Sequence, residues 1–133
     1  MVAVAIASFV GGSFVKEFAL VLQTWSWNVQ TIRSDHSVQE RNIIIDAFND
    51  LESDVDILLL SMDLSAYGLN LHKVCCKGII LRWPWNANHL LQILGRLLRI
   101  GQTRFVEWVI FYMAGTYQNQ IPKEYRIRGV HNY

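Results

Sequence analysis

Only two cysteines occur among the 133 residues, and these two, Cys75 and Cys76, are adjacent. Neighbouring cysteines rarely satisfy disulfide geometry, and no Cys-x-x-Cys pair exists, so a disulfide framework has no support. They read as buried apolar residues of a reducing compartment. The four histidines, His36, His72, His89 and His131, show no ligand spacing, which leaves a metal site without a basis. Charge of one sign is also lacking: the formal net charge is +1, so no global basic field draws in a polyanion. No segment approaches the ~18 apolar residues needed to span a bilayer, so no membrane partner is expected. The apolar start, Met1 to Val10, has no Lys or Arg ahead of it and meets Gly11-Gly12 at once, which fits a buried strand better than a leader. Nor is there a Gly-x-x-x-x-Gly-Lys-Ser/Thr loop; Gly11-Gly12-Ser13 with Lys16 has the wrong spacing for one.

What is present is apolar. Hydrophobic residues make up 52% of a length that fits one domain, and that fraction suits a sheet buried on both faces. Strand-like runs at 2–9, 28–33, 56–61, 78–81 and 105–113 alternate with helical patterns at 13–24, 37–48 and 86–99. In the first helix Phe14, Phe18, Val21, Leu22 and Trp25 recur at helical spacing. Ser37-Val38-Gln39-Glu40 is a capping box that starts the second, with Ile43, Ile44, Ala47 and Phe48 expected to face inward. Strands alternating with helices predict an α/β domain with a mainly parallel sheet flanked by helices over residues 1–115. The stretch 116–133 has no clear periodicity and is expected to be loosely ordered. Acidic residues crowd the middle, from Asp35 to Asp56, and arginines the C-terminal part; such asymmetry permits a local anion site, although it more often marks two solvated faces.

The most informative stretch is Gln92-Ile-Leu-Gly-Arg-Leu-Leu-Arg-Ile-Gly-Gln102. At about 100° per residue, offsets of four and seven return to the same side of a helix, so Gln92, Arg96 and Arg99 share a face. Leu90, Leu94, Leu97 and Leu98 leave much of the remaining surface apolar. Two guanidiniums on such a helix suit an anion with several oxygens, because each offers a planar fork of donors. Pairing with surface carboxylates is the alternative that spacing alone leaves open.

This stretch resembles motif VI of superfamily-two helicases, and Arg99-Ile100-Gly101-Gln102 resembles the SWI/SNF-like chromatin-remodelling branch. Other stretches resemble motifs of that family in the same order. Ala7-Ser8-Phe9 is similar to the end of motif IV. Arg33-Ser34-Asp35-His36-Ser37 is similar to Arg-Leu-Asp-Gly-Ser, and Ala47-Phe48-Asn49-Asp50 to Arg-Phe-Asn-Asp. Leu58-Leu59-Leu60-Ser61 with Tyr67-Gly68-Leu69-Asn70-Leu71 resembles motif V, and Trp85-Asn86-Ala87 resembles Trp-Asn-Pro. The likeness runs from about residue 3 to residue 113. It departs from the pattern at Leu64-Ser65-Ala66-Tyr67-Gly68, where two glycines of the family are gone, and at Asp35-His36-Ser37 and Arg82-Trp83-Pro84.

The resemblance implies a single RecA-like domain of the P-loop NTPase fold, the second lobe of a helicase-type motor, which lacks the phosphate loop itself. It implies that Arg99 is the arginine finger and Arg96 a second phosphate contact. Gln92, Gly68 and Asn70 would lie on the nucleotide side, and Ser61, Ser34 and His36 on nucleic acid. ATP is the cofactor implied, with Mg held by a first RecA-like lobe that this chain would meet in cis or in trans. DNA, naked or nucleosomal, is the expected substrate and the nucleus the expected location. The Asp-Glu-x-His run that positions magnesium and water in the family is also missing, so the chain by itself is expected to be inactive. Two alternatives stay open: a non-catalytic nucleic-acid or protein binding module, and a truncated remnant of such an ATPase.

Overall fold

The computed structural model describes residues 3–7, 12–61, 69–81, 87–111 and 125–129. In chain order these form β1 (Ala3–Ala7), α1 (Gly12–Thr24), β2 (Val29–Ile32), α2 (Val38–Phe48), β3 (Ile57–Ser61), β4 (Lys77–Ile80), α3 (Ala87–Leu94), β5 (Val106–Ile110) and β6 (Tyr125–Gly129). The six strands make one sheet in the order β2-β3-β1-β4-β5-β6. Pairing is parallel from β2 through β5, and β6 runs antiparallel to β5 at the edge. The α/β class and the parallel sheet expected from the sequence are therefore present. Within the stretch expected to be loosely ordered, Tyr125–Gly129 supplies the edge strand, with Val106 opposite Gly129 and Ile110 opposite Tyr125.

The sheet is buried because both faces are covered. Leu58, Leu59 and Leu60 of β3 are each fully buried. Side chains alternate across a strand, so Leu58 and Leu60 join Ile45 and Phe48 of α2 and Ile93 and Leu94 of α3. Leu59 joins Val15 and Ala19 of α1 on the opposite side. Along β4, Gly78 stands in register with Trp108 of β5. A Cβ at Gly78 would lie 2.2 Å from the Trp108 ring, so the tryptophan occupies the space that any side chain there would need.

Helix phases and ends show where local rules act. In α1 the inward stripe is Val15, Phe18, Ala19 and Leu22. Val21 and Trp25, expected on that stripe, are exposed. The helix ends in a Schellman motif: the Trp27 amide donates to Leu22 O at 3.3 Å and the Ser26 amide to Gln23 O at 3.0 Å, with Ser26 left-handed at φ 65°. The capping box of α2 forms as expected: Glu40 N–H donates to Ser37 Oγ at 3.2 Å and Ser37 N–H to Glu40 Oε2 at 2.6 Å. Three successive isoleucines made its phase ambiguous. Ile45 and Phe48 are buried and Ile44 packs beside them, while Ile43 and Ala47 face outward.

Helix α3 is shorter than the periodicity predicts. It stops at Leu94, and Gly95, a poor helix former, follows. The chain then tightens, with Arg96 N–H on Ile93 O at 3.0 Å and Leu97 N–H on Leu94 O at 3.3 Å. These are three-residue steps of the 3₁₀ kind, common at helix ends. Leu97 remains fully buried in this turn, which is why its apolar spacing imitates a longer helix.

Candidate phosphate-facing site

Two segments meet at the site. The first, residues 69–76, follows β3 and is anchored by Leu71, Val74 and Cys75 in the core, with Leu69 packed against it. That anchoring leaves Asn70 and Lys73 on the outside. The second is the turn from Gly95 to Gln102. Gln102 N–H donates to Arg99 O at 3.0 Å, and Gly101 between them sits at φ 93°. This is a type II turn, whose third position favours glycine because it requires a positive φ.

Arg99 spans the two segments. Its Nε donates to Gly95 O at 3.1 Å and its Nη1 to Asn70 Oδ1. Asn70 is held from its other side, where its carbonyl accepts from Asn49 Nδ2 at 2.8 Å. The end of α2, the segment after β3 and the arginine turn are thus linked through Asn49, Asn70 and Arg99. An open groove of about 390 Å³ lies beside Asn70, and its lining includes Arg41, Asn42, Ile45, Asp46, Asn49 and Lys73.

Arg96 is only 6% exposed, and among the described residues its Nε has no hydrogen-bond partner and its guanidinium no ion pair. Burial lowers its pKa from the usual arginine value, and the positive charge of Arg99 adds to the effect. His72 shares this environment. Its Nδ1 is buried without a partner among the described residues, and its pKa is lowered from 6.5 by burial and then by Arg99 and Lys73. The site therefore holds the cations Arg96, Arg99 and Lys73 beside a His72 ring that resists protonation, with no carboxylate paired to either arginine among the described residues. An unpaired buried charge costs several kcal/mol, and several anionic oxygens are the chemistry that relieves it.

The structure brings together Arg96, Arg99 and Asn70 from the set expected on sequence grounds. Gln92 is exposed two residues before the end of α3. The arginines themselves lie beyond that helix, on the tightened turn, rather than on a continuous helical face. Ser61 closes β3, half-buried and in register with Ala7. Ser34 and His36 sit in a separate turn. The Ser34 carbonyl accepts from Arg41 Nη2 at 3.1 Å, and His36 Nδ1 accepts from the Arg33 amide at 3.3 Å. Gly68, the motif IV end at Ser8-Phe9 and the stretch 82–86 lie outside the described residues.

Three contributors escaped the sequence reading: His72, Lys73 and Gln102. No spacing signals the first two, which reach the site only because Leu71 and Val74 turn inward. Gln102 is 5% exposed and bonds to three carbonyls; its place at the end of Arg-Ile-Gly-Gln was the one available sign.

The family model described as helicase conserved C-terminal domain matches residues 7–101. Among curated proteins, the chain is 34% identical over 114 residues to the transcriptional regulator ATRX homolog of Caenorhabditis elegans, a match covering 77% of this chain and 8% of that protein. It is also 34% identical over 85 residues to the SWI/SNF chromatin-remodeling complex subunit snf22 of Schizosaccharomyces pombe, covering 64% of this chain and 5% of that one. The chain thus spans less than a tenth of either relative. Among solved structures, the C-terminal part of the Fun30 ATPase domain superposes with a TM-score of 0.78 at 22% identity, covering 90% of this chain and 38% of that one. The C-terminal domain of the DEAD-box protein Dbp5 does so with a TM-score of 0.65 at 16% identity, covering 90% and 65%. Both likenesses are of fold, that of helicase C-terminal RecA-like lobes. The chain belongs to the helicase C-terminal domain family and is related within it to the SNF2-type chromatin remodellers.

Proposed function

We propose that this domain is the second lobe of an ATP-dependent DNA translocase, and that it supplies two arginines to a nucleotide held mainly by a first RecA-like lobe. The observation that carries this reading is Arg96, a buried guanidinium without a partner among the described residues, beside an Arg99 tied to Asn70. ATP, with Mg held by the first lobe, supplies the transferable phosphoryl group. Arg99 meets the charge that builds on that group, Arg96 adds a second contact, and Asn70 fixes the angle of the Arg99 fork. Gln92 and Gly68 are assigned to the nucleotide side of the same cleft. Ser61, Ser34 and His36 are assigned to the nucleic-acid backbone. The sheet ends and the turn that carry them belong to stretches similar to the family's motifs. The names of the relatives, a transcriptional regulator and a subunit of a chromatin-remodeling complex, support work on DNA or nucleosomes in the nucleus.

An arginine delivered to a transferring phosphoryl group is worth ~10³–10⁵ in rate, or roughly 4–7 kcal/mol. The test is to mix the chain with a first lobe that carries a phosphate loop and to measure DNA-stimulated ATP hydrolysis. Turnover is expected only in the mixture, and Arg99→Ala is expected to remove it. Arg99→Lys is expected to lose most of it, because a point ammonium cannot bridge two oxygens. Hydrolysis by the isolated chain, or a mixture indifferent to Arg99→Ala, contradicts the reading. Salt-dependent DNA binding with no turnover in any mixture points instead to a binding module.

A further inference from the structure

Gln102 follows the type II turn that begins at Arg99, and its side chain is buried. Its amide nitrogen lies 3.3 Å from His72 O, 3.0 Å from Cys75 O and 3.2 Å from Leu97 O. Its amide oxygen accepts from the Arg104 N–H at 3.2 Å. An amide NH₂ has two hydrogens, so three carbonyls in reach mean that one bond is shared. The four partners also fix which end of the amide is nitrogen. Two of the carbonyls belong to the segment after β3, and the third lies inside the turn that carries both arginines.

We propose that Gln102 is a positioning residue: it clamps the arginine turn to the segment that carries Asn70, so that Arg99 meets its ligand in one fixed register. This rests on the reading of Arg99 as the phosphate contact. Among the described residues the Arg99 side chain has two hydrogen bonds, to Gly95 O and to Asn70 Oδ1, and these lie on the two different segments. Their relative placement must therefore be set elsewhere. The Gln102 bonds to His72 O and Cys75 O cross the same gap from the other end of the turn. Packing anchors the turn at Leu97 and Leu98, whereas Ile100 and Gly101 are exposed, so the Gln102 end is held by these hydrogen bonds rather than by packing.

Gln102→Met keeps the length and removes every side-chain hydrogen bond. In the wild-type chain the Arg99 Nε–H is expected to give a resolved, slowly exchanging NMR signal. In Gln102→Met that signal is expected to move to the solvent-exposed arginine position. Val15→Ala, a core variant in α1 on the opposite face of the sheet from Leu97, is expected to lower the melting temperature and leave the signal in place. With a first lobe present, Gln102→Met is expected to lower kcat at least tenfold with little change in KM for ATP, the pattern of a lost transition-state contact. Should Gln102→Met fail to fold, Gln102→Asn, which keeps the amide but is one methylene short, carries the same comparison. An unchanged Arg99 signal in a variant that is merely less stable overturns the proposal. If the wild-type mixture shows no turnover, the functional reading fails, and the Arg99 signal still decides the role of Gln102.

Discussion

A histidine ring that is partly buried beside cations holds its proton less tightly than a free one. Burial of the His72 ring depresses its protonation first, and the positive charges of Arg99 and Lys73 depress it further. The consequence for stability has a definite sign. His72 binds its proton more weakly in the folded chain than in the unfolded one, so between its lowered pKa and about 6.5 the unfolded state carries more protons. Stability therefore rises with pH across that window and is lost as pH falls below about 6.5. Urea denaturation midpoints measured from pH 8 to pH 5 are expected to drop over this range, and the drop is expected to shrink in His72→Gln. Glu40 acts in a separate window. Its carboxylate accepts the Ser37 amide and has a pKa lowered from 4.5, so the stability it contributes is lost only as pH falls below about that value. A profile without any fall between pH 7 and pH 5 would show that His72 is not held among these cations.

At the scale of single elements, two backbone positions make sharper tests than any propensity sum. Ser26 holds the left-handed position that ends α1, where glycine has no steric cost. Ser26→Gly is expected to raise stability by about 0.5–1 kcal/mol, because the strain of a left-handed non-glycine residue exceeds the entropy that glycine loses. Gly78→Ala is expected to do the reverse. The added methyl would meet the Trp108 ring, which is fully buried and cannot swing aside, and overpacking of this kind costs about 1–3 kcal/mol. Chemical denaturation of both variants checks the two signs at once. Elements were legible where a local rule decided them. The Ser37–Glu40 box marked the start of α2, and the apolar runs marked β1, β3 and β5. They were misread where tertiary context decided. Ile43, Ile44 and Ile45 fit more than one helix phase until Phe48 and the sheet choose. Leu97 keeps helical spacing although α3 has already ended. β6 exists only by pairing with β5, which nothing within residues 116–133 announces.

For the molecule as a whole, the sheet order brings the segment after β3 and the turn after α3 to one place, and the chemistry sits where they meet. The sequence exposed half of that arrangement. Arg96, Arg99 and Asn70 stood out through their spacing and their likeness to helicase motifs. The His72 ring, the cation Lys73 and the clamp Gln102 did not, because burial and carbonyl geometry are properties of the folded chain. Complementarity to a transition state rather than to a ground state is what makes such a site an ATPase element. The most direct measurement is association of this domain with a phosphate-loop first lobe in the presence of ADP and aluminium fluoride, which mimics the transferring phosphoryl group. The mimic is expected to tighten association, and Arg99→Ala is expected to weaken the mimic-bound complex by on the order of a hundredfold or more without changing association in its absence. Equal affinity for wild type and Arg99→Ala with the mimic bound would contradict the account.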